Sequence, residues 1–470
     1  MDGDGVTSSM SQEMDEDADS FQSNSITSSL HMDASLSIRA IIFAVITIFI
    51  AVVLLGSIPA LLSETPVQDI YSVVFDAGST GSRVFVFHFK TKGTGIFGVS
   101  LEDEVFQSVE PGISFYALNP EEIEHSLRPL LQHATESVPK DYHSLTLVTF
   151  KATAGLRLLQ KAKADKIISV VRNLLVSTPF YLPDLSRVEI MSGEEEGLFA
   201  WISVNFLLDL IWNAVHENTV TIFDLGGGSV QISFEISRLN VLGNILIRDV
   251  VKMLLLNADF NVFTKSYLGY GLKSARLGVM GGKEGPNGVV TYDHDVSDKL
   301  DTDVLLLSPC YTLGTNFTFL HNDVSYIVKG QNPASYVLPR CREAVDQFVQ
   351  TANFIQNSEM SQRDIHLFSY FFDVARWAKL IPWNEYRRNL TPEDFYKAAT
   401  KYCHEDDFEQ KYPFLCIDLL YIHSLLTVGV GLKPDKKLSV ETQLLGRQVS
   451  WTLGAALCTL SDKISFSPIL

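Results

Sequence analysis

The sequence predicts an α/β fold that contains a duplicated unit and follows one transmembrane helix. Two glycine-rich turns, each led by an aspartate, lie between strand-like segments, and helical and strand-like patterns alternate between the two turns. One long apolar run near the N-terminus is the third observation. With 470 residues and 46% apolar residues, the chain can bury one or two hydrophobic cores, so we expect a globular protein.

The N-terminal segment predicts a membrane anchor behind an acidic tail. Residues 1–37 are rich in Asp and Glu, which indicates a disordered cytoplasmic tail. Residues 38–62 contain Arg39 as their one charged residue and are long enough to span a bilayer as a signal anchor. A cleaved signal peptide is the alternative, but such peptides begin at the extreme N-terminus and have a shorter apolar core. Arg39 favours a cytosolic N-terminus, and residues 63–69 form a short stalk.

Charge and glycosylation patterns indicate the secretory pathway rather than nucleic acid. The formal net charge is −18, and no long Lys/Arg run offers a surface for a polyanion, so we expect no nucleic-acid partner. Two Asn-x-Ser/Thr sequons begin at Asn316 and Asn389, and both predict glycosylation.

All five cysteines follow the anchor, where an oxidising compartment allows disulfides. The nearest-neighbour pairs are Cys310 with Cys341 and Cys403 with Cys416, although four cysteines allow three connectivities and their order alone does not choose. We carry the nearest-neighbour pairs forward as the prediction. Cys458 lies in an apolar stretch and is expected to be free and buried.

Two similar strand–turn–strand units predict the duplication. Residues 70–75 form a β-like run that enters the turn at residues 76–81, and residues 83–89 resume the β pattern. The second unit has strands at residues 220–223 and 230–234, and its leading aspartate, Asp224, comes 148 residues after Asp76.

The segment between the two turns alternates between helix and strand. Helices are predicted at residues 120–133, 162–175 and 195–210, and strands at residues 145–150 and 188–191. The third of these helices opens with carboxylates, as suits a helix N-terminus, and Glu196 lies at its mouth.

Each turn has the parts needed to hold a phosphate. Glycines let backbone N–H groups approach an anion, and serine and threonine hydroxyls donate hydrogen bonds. Asp76 and Asp224 suit a hard cation that keeps several of its waters, Mg²⁺ or Ca²⁺, whereas in an ordinary turn each would satisfy backbone amides. Two such turns facing one cleft are a stronger signal than either one alone.

Five ordered motifs resemble the ectonucleoside triphosphate diphosphohydrolases, or apyrases, also known as the GDA1/CD39-like family. The resemblance covers residues 70–460. The motifs are DAGSTGSR at 76–83, KATAGLRLL at 151–159, SGEEEGLFAWISVNFLL at 192–208, DLGGGSVQI at 224–232 and SWTLGA at 450–455. The family usually has Thr where this chain has Val230, a departure that we interpret as tolerable because Ser229 and Gln231 remain.

The resemblance implies the fold shared by actin, sugar kinases and chaperone ATPases, with two ribonuclease-H-like lobes and a nucleotide cleft between them. Lobe I is assigned to residues 70–192 plus 441–470, and lobe II to residues 193–440. Catalysis would be direct attack of water, with Glu196 as the base and Ser229 and Gln231 orienting the water.

The remaining site residues follow from the same motif matching. Asp76 and Asp224 would hold the Ca²⁺ or Mg²⁺ through water. Nucleotide and phosphate contacts would come from Ser79, Thr80, Gly81, Arg83, Thr153, Gly226, Gly227, Gly228, Tyr370 and Trp451. Of these, Tyr370 is a candidate stacking ring for the base, although aromatic clusters of this kind are often core.

Within the family, one anchor and two disulfides resemble the Golgi, endoplasmic-reticulum or secreted nucleoside diphosphatases, types 5 and 6. Residues 266–276 and 416–426 look like that subgroup, which prefers UDP and GDP. Leu272 stands where several cell-surface relatives have an arginine near the base, so recognition of the base is expected to be loose. The resemblance thus implies a single-pass type II membrane protein, of the Golgi or endoplasmic-reticulum lumen or the cell surface, also released as a soluble form.

Three other readings remain open. A broad apyrase would hydrolyse triphosphates and diphosphates alike, because both present a terminal phosphate to the same groups. A catalytically silent membrane protein would bind nucleotide without hydrolysing it, which the intact Glu196 and Gln231 argue against. A sugar kinase of the same superfamily is disfavoured by Glu, rather than Asp, in the position of the base.

Overall fold

The computed structural model describes residues 38–53, 67–92, 99–211, 218–236, 245–255, 258–282, 304–321, 324–404, 412–460 and 467–468. The chain divides into two units, Met1–Thr65 and Pro66–Leu470. Helix α1, residues 38–53, lies in the first unit. In the described ranges, no helix has both the length and the apolarity to cross a membrane. The predicted acidic tail, residues 54–62 of the predicted anchor and residues 63–66 of the stalk lie outside those ranges.

The first sheet of the second unit has the strand order β3-β2-β1-β4-β5. Strands β1 and β2 form the first antiparallel hairpin, and β4 pairs in parallel with β1. Residues 72–77 of β1 are buried, with side chains packed on both faces of the sheet, which suits the apolar run at residues 73–75. The strands are β1 Val67–Ala77, β2 Ser82–Lys92, β3 Val99–Val109, β4 Leu147–Ala152 and β5 Val188–Ile190.

The second sheet repeats that order and those directions. Its central part reads β9-β7-β6-β13-β15, with β6 and β7 antiparallel and β13 parallel to β6. The predicted duplication is therefore confirmed at the level of topology. The strands of this sheet are β6 Thr221–Leu225, β7 Ser229–Glu235, β8 Val250–Leu255, β9 Ala258–Leu268, β13 Ile365–Ser369, β14 Arg387–Leu390, β15 Leu438–Glu441 and β18 Ser467–Pro468.

Helices cover both sheets and fill the space between them. Helices α2 Ile123–Ser137 and α4 Lys161–Val176 pack on the outer face of the first sheet. Helices α5 Gly193–Leu207 and α12 Trp451–Leu460 lie between the two sheets, which is why both are apolar on all sides. The outer face of the second sheet carries α6 Leu272–Val279, α7 Ala334–Thr351, α9 Tyr370–Trp377 and α11 Leu415–Ser424.

The remaining elements are small. They are α3 Ala154–Arg157, α8 Ser358–Gln362, α10 Pro392–Tyr402, the three-stranded sheet of β10 Val304–Thr312, β11 Asn316–His321 and β12 Val324–Asn332, and the hairpin of β16 Gln443–Leu444 and β17 Arg447–Gln448. Short 3₁₀ segments are Ile113–Tyr116, Pro120–Glu122, Lys140–Leu145, Leu185–Arg187 and Ile247–Asp249, and Leu425–Gly429 is a π-helical turn.

The cysteine prediction is confirmed in its pairing. Disulfides join Cys310 to Cys341 and Cys403 to Cys416, and Cys458 is free. Cys458 is half-buried rather than fully buried, because it lies near the end of α12. Asn316 and Asn389 are both exposed, so a glycan could be attached at either position.

Candidate active site

The first hairpin turn places Asp76 among hydrogen-bond donors. The Gly78 N–H donates to the Gly81 carbonyl at 3.0 Å and closes the turn. Asp76 lies opposite Arg83 across the hairpin, and Arg83 Nη1 donates to Asp76 Oδ2 at 3.2 Å. A second side-chain hydrogen bond to Asp76 comes from Trp451 at the start of α12. The aspartate carboxylate is therefore held by one cation and one indole.

The second hairpin turn has the same backbone closure. The Gly226 N–H donates to the Ser229 carbonyl at 3.0 Å, and Asp224 lies opposite Gln231. The partner of Asp224 is Ser369, whose hydroxyl donates to Asp224 Oδ1 at 2.6 Å. Ser369 has a φ of 59°, a conformation that costs energy for a residue other than glycine. The strained residue lies at the junction of β13 and α9, where its hydroxyl reaches Asp224.

The two turns lie next to each other. A Cβ on Gly227 would be 2.4 Å from Ser79 Oγ, so only glycine permits this approach of the second turn to the first. Helix α3 packs against both turns, because a Cβ on Gly155 would be 2.8 Å from Ser79 Cα and one on Gly228 would be 3.0 Å from the Ala154 side chain. The N–H of Thr153, the N-cap of α3, donates to the Ala77 carbonyl at 3.1 Å.

Glu196 is buried in the first turn of α5. A capping box between Ser192 and Glu195 begins this helix and fixes the direction in which it starts. Gln231 Nε2 donates to Glu196 Oε2 at 3.1 Å and to Ser229 Oγ at 2.7 Å. A guanidinium nitrogen of Arg157 donates to the same Glu196 oxygen and lies 3.2 Å from Ser229 Oγ. Glu196 thus joins α3, α5 and the second turn.

Burial shifts the pKa values of all three carboxyl groups. Burial raises the pKa of Glu196 to about 7, against the lowering effect of Arg157, and the charges of Asp224 and Asp76 raise it further. Burial also raises the pKa of Asp224 to about 6, and that of Asp76 is raised for the same reason although Arg83 opposes the shift. Arg83 and Arg157 offset the charges of Asp76 and Glu196, whereas the hydrogen-bond partner of Asp224 is the neutral Ser369 hydroxyl. A further cation beside Asp224 would therefore be favoured.

The donor set at this site fits a hydrated divalent cation. Two buried carboxylates, Asp76 and Asp224, interact electrostatically and supply oxygen ligands of the type that Mg²⁺ and Ca²⁺ take. Gln231 Oε1 is buried and accepts no hydrogen bond from the described residues, as expected of an oxygen that receives a bond from water or ligand. Within those same residues, no three His, Cys, Asp or Glu side chains cluster as direct metal ligands. Asp76 and Asp224 are the residues that would hold such a cation.

Most of the predicted site residues converge on this site. Ser79, Gly227, Ser229, Gln231 and Glu196 lie in one connected group. Thr80 makes a side-chain hydrogen bond with Tyr370, whose ring lies 6.1 Å from that of Trp377 in an edge-on contact. Burial raises the pKa of Tyr370 to about 12, so the phenol is neutral. Its hydrogen bond with Thr80 directs the hydroxyl toward the first turn.

Three residues of this site were not assigned from the sequence. Arg157 lies inside the second motif, yet nothing in the motif alone connects it to Glu196. Ser369 contacts Asp224, and Ser266 accepts a hydrogen bond from Gln231 Nε2 at 3.0 Å. Pairing of distant strands brings both serines here, so no local pattern could have identified them.

A duplicated α/β fold with two adjacent glycine-rich turns beside a buried carboxyl group is the arrangement expected of an enzyme that hydrolyses phosphoric anhydrides. The chain belongs to the GDA1/CD39 (nucleoside phosphatase) family, whose model matches residues 63–469. The resemblance inferred from the five motifs is therefore confirmed.

Two curated human relatives are similar over most of their length. One, named nucleoside diphosphate phosphatase ENTPD5, is 33% identical over 84% of this chain and 88% of its own. The other, named ectonucleoside triphosphate diphosphohydrolase 6, is 34% identical over 82% of this chain and 76% of its own.

A solved structure supports the fold. The chain is similar to the crystal structure of nucleoside triphosphate hydrolases from Neospora caninum, with a TM-score of 0.56 and 14% identity over 87% of this chain and 95% of that one. At this identity the likeness concerns the fold alone.

Proposed function

We propose that the chain hydrolyses the terminal phosphoanhydride of nucleoside diphosphates to a nucleoside monophosphate and phosphate, with UDP and GDP preferred. The observation that carries the proposal is the buried Glu196 carboxylate, which shares one hydrogen-bond group with Ser229 and Gln231 beside two facing phosphate-type turns. Family membership makes the chain a nucleoside phosphohydrolase, and the diphosphate preference is the finer part of the proposal.

Glu196 acts as the general base in this proposal. Water attacks the terminal phosphorus as a P–O bond forms, the bond to the bridging oxygen breaks, and the water proton passes to Glu196. Ser229 and Gln231 orient the water. Gln231 Nε2 donates to both Glu196 Oε2 and Ser229 Oγ, so the three side chains surround the same point. General base catalysis of this type typically contributes about 10²- to 10⁴-fold in rate.

The phosphate chain lies between the two turns. Ser79, Thr80 and Gly81 of the first turn and Gly226, Gly227 and Gly228 of the second offer hydroxyls and backbone amides to its oxygens. Ca²⁺ or Mg²⁺, held by Asp76 and Asp224 through water, would neutralise phosphate charge there. Thr153, Arg83 and Trp451 support the turns and the first aspartate.

The surrounding architecture is proposed from the sequence. Residues 70–192 plus 441–470 form one ribonuclease-H-like lobe, residues 193–440 form the other, and the nucleotide binds between them. Residues 38–62 anchor the chain as a type II membrane protein of the Golgi or endoplasmic-reticulum lumen or of the cell surface, with a soluble form also released. Asn316 and Asn389 carry glycans, in keeping with their exposure.

A substrate panel tests the proposal. Steady-state phosphate release is measured with UDP, GDP, ADP, UTP and ATP, in Ca²⁺, in Mg²⁺ and with a chelator. We expect the highest kcat/KM for UDP and GDP and loss of activity with the chelator. Equal kcat/KM for triphosphates would instead establish a broad apyrase, and nucleotide binding without any phosphate release would establish a silent binding protein.

A further inference from the structure

Lys273 lies beside the second turn and has no assigned role. It is the second residue of α6, and its N–H donates to the Gly227 carbonyl at 2.9 Å. A Cβ on Gly227 would lie 3.5 Å from Lys273 Cδ and 2.4 Å from Ser79 Oγ. The lysine side chain therefore runs past the point at which the two phosphate-type turns meet.

Lys273 differs from the other basic side chains around the turns. Arg83 is bound to Asp76, Arg157 is bound to Glu196, and Arg276 makes two hydrogen bonds to Asp418 at 2.7 and 2.6 Å. In the described part of the chain, the Lys273 ammonium has no hydrogen-bond or ion-pair partner. It is partly buried, and an unpaired ammonium in such a place favours an anionic ligand.

The charges that act on Lys273 come from Arg276 and Glu110. Burial lowers its pKa, Arg276 lowers it further, and the carboxylate that opposes these effects is Glu110 rather than Glu196 or either turn aspartate. Arg276 in turn interacts with Tyr370, the candidate base-stacking ring. The contacts give the position of the side chain: Lys273 borders the second turn at Gly227, next to Ser79 of the first turn. Thr80, which follows Ser79, bonds to Tyr370, whereas Glu196 is joined through Gln231 to Ser229 at the end of the second turn. Lys273 thus lies where the second turn meets the Tyr370 side of the first turn.

An in-line displacement requires the leaving group to lie opposite the attacking water. If Glu196 and Gln231 hold the water, the phosphate that remains with the nucleoside lies on the Lys273 side. We propose that Lys273 binds this leaving-group phosphate of the nucleoside diphosphate. The inference rests on the proposed function and identifies a residue that would recognise the nucleotide product.

Product inhibition tests the assignment. With the full-length protein and UDP as substrate, the inhibition constants of UMP and inorganic phosphate are measured for the wild type, Lys273→Met and Lys273→Arg. For Lys273→Met we expect the KM for UDP and the inhibition constant of UMP to rise about tenfold. This is the change in affinity expected when one charge-assisted hydrogen bond is lost. The inhibition constant of phosphate should stay within about twofold, and Lys273→Arg should keep most of the affinity for UMP.

Two controls distinguish substrate binding from other roles. Lys433→Met removes an exposed lysine from a distant turn and should leave all constants unchanged. Glu110→Gln removes a carboxylate that borders the first turn at Gly81 and interacts electrostatically with Lys273, and it should not weaken UMP binding. If Glu110→Gln reproduces the effect of Lys273→Met, Lys273 acts through its interaction with Glu110 and not through a contact with phosphate, and the proposal is wrong. An unchanged UMP constant in Lys273→Met, or an equal rise in the phosphate constant, also overturns it.

Failure of the proposed function gives a separate result. If the wild type releases no phosphate from any diphosphate, UMP binding is measured by calorimetry for the wild type and Lys273→Met. Weaker binding by Lys273→Met, by about tenfold, would support the phosphate contact without hydrolysis. Equal binding by the two proteins, or no binding by either, would reject it.

Discussion

The two hairpin turns share a backbone but differ in the residue opposite the aspartate. Both close through an N–H donated to the carbonyl three residues later, and both place the aspartate two residues before the first glycine of the turn. Arg83 lies opposite Asp76, whereas Gln231 lies opposite Asp224. The first turn therefore carries its own cation, and the second carries a neutral amide that bonds to Glu196.

The tips of the two turns also differ in the hydrogen-bond donors that they offer. The first tip offers the hydroxyls of Ser79 and Thr80, while the second has three successive glycines and offers backbone alone. We infer that after duplication the first copy became specialised for holding phosphate and the second for serving the attacking water. In this proposal the shared backbone sets the positions of the groups, and the residue paired with the aspartate across the hairpin sets the role of each turn.

Gln231→Arg is expected to have the largest effect, because it gives the second turn an arginine opposite its aspartate, as in the first turn. The new guanidinium would lie next to Arg157 and remove the amide that bonds to Glu196 and Ser229. We expect kcat to fall at least about 100-fold, as when a polar group that serves the transition state is lost. Steady-state kinetics measure this. Gln231→Asn, which keeps an amide, should lose less, and equal activity of Gln231→Arg and the wild type would contradict the division of roles.

Asp224→Asn and Asp76→Asn should change the free energy of unfolding by different amounts. Burial raises the pKa of Asp224 from 3.8 to about 6, so its charged form destabilises the fold as pH rises through that window, and the full penalty is present above it. With a chelator at pH 8, Asp224→Asn should therefore stabilise the fold by on the order of 2 kcal/mol. Chemical denaturation at pH 8 and at pH 4 measures this, and the gain should vanish at the lower pH.

Asp76→Asn supplies the contrast. It leaves Arg83 without its carboxylate partner, so no gain in stability is expected at pH 8. Both variants should need more Ca²⁺ or Mg²⁺ for activity. Equal stabilisation by the two substitutions would show that the turns are electrostatically equivalent.

Arg157→Met is expected to have a smaller, pH-dependent effect. Arg157 lowers the pKa of Glu196, which burial holds at about 7, so its removal should raise that pKa. The base must be deprotonated, and the acid limb of the kcat/KM profile should move to higher pH, with a larger loss of activity at pH 6 than at pH 9. Arg157→Lys should restore part of the shift. A loss that is equal at every pH would indicate a structural role alone.

The sequence predicted the parts of the site that depend on local pattern. Glycine-rich turns between β-like runs predicted both hairpins. The run of carboxylates before an apolar helical pattern predicted a helix with Glu196 near its start. Contacts between distant segments were not predictable in the same way. Ser369 reaches Asp224 because β13 pairs in parallel with β6, and Arg157 reaches Glu196 because α3 packs against both turns. Such contacts follow from tertiary packing, which a single sequence does not display.

Glu196→Gln tests whether Glu196 is the general base, because it removes the proton acceptor while keeping nearly the same shape. Turnover of UDP and binding of UDP by calorimetry are measured on the same preparation. We expect kcat to fall at least about 100-fold, with a dissociation constant for UDP within about threefold of the wild type. Near-normal turnover by this variant would show that Glu196 is not the base and would contradict the proposed hydrolytic mechanism.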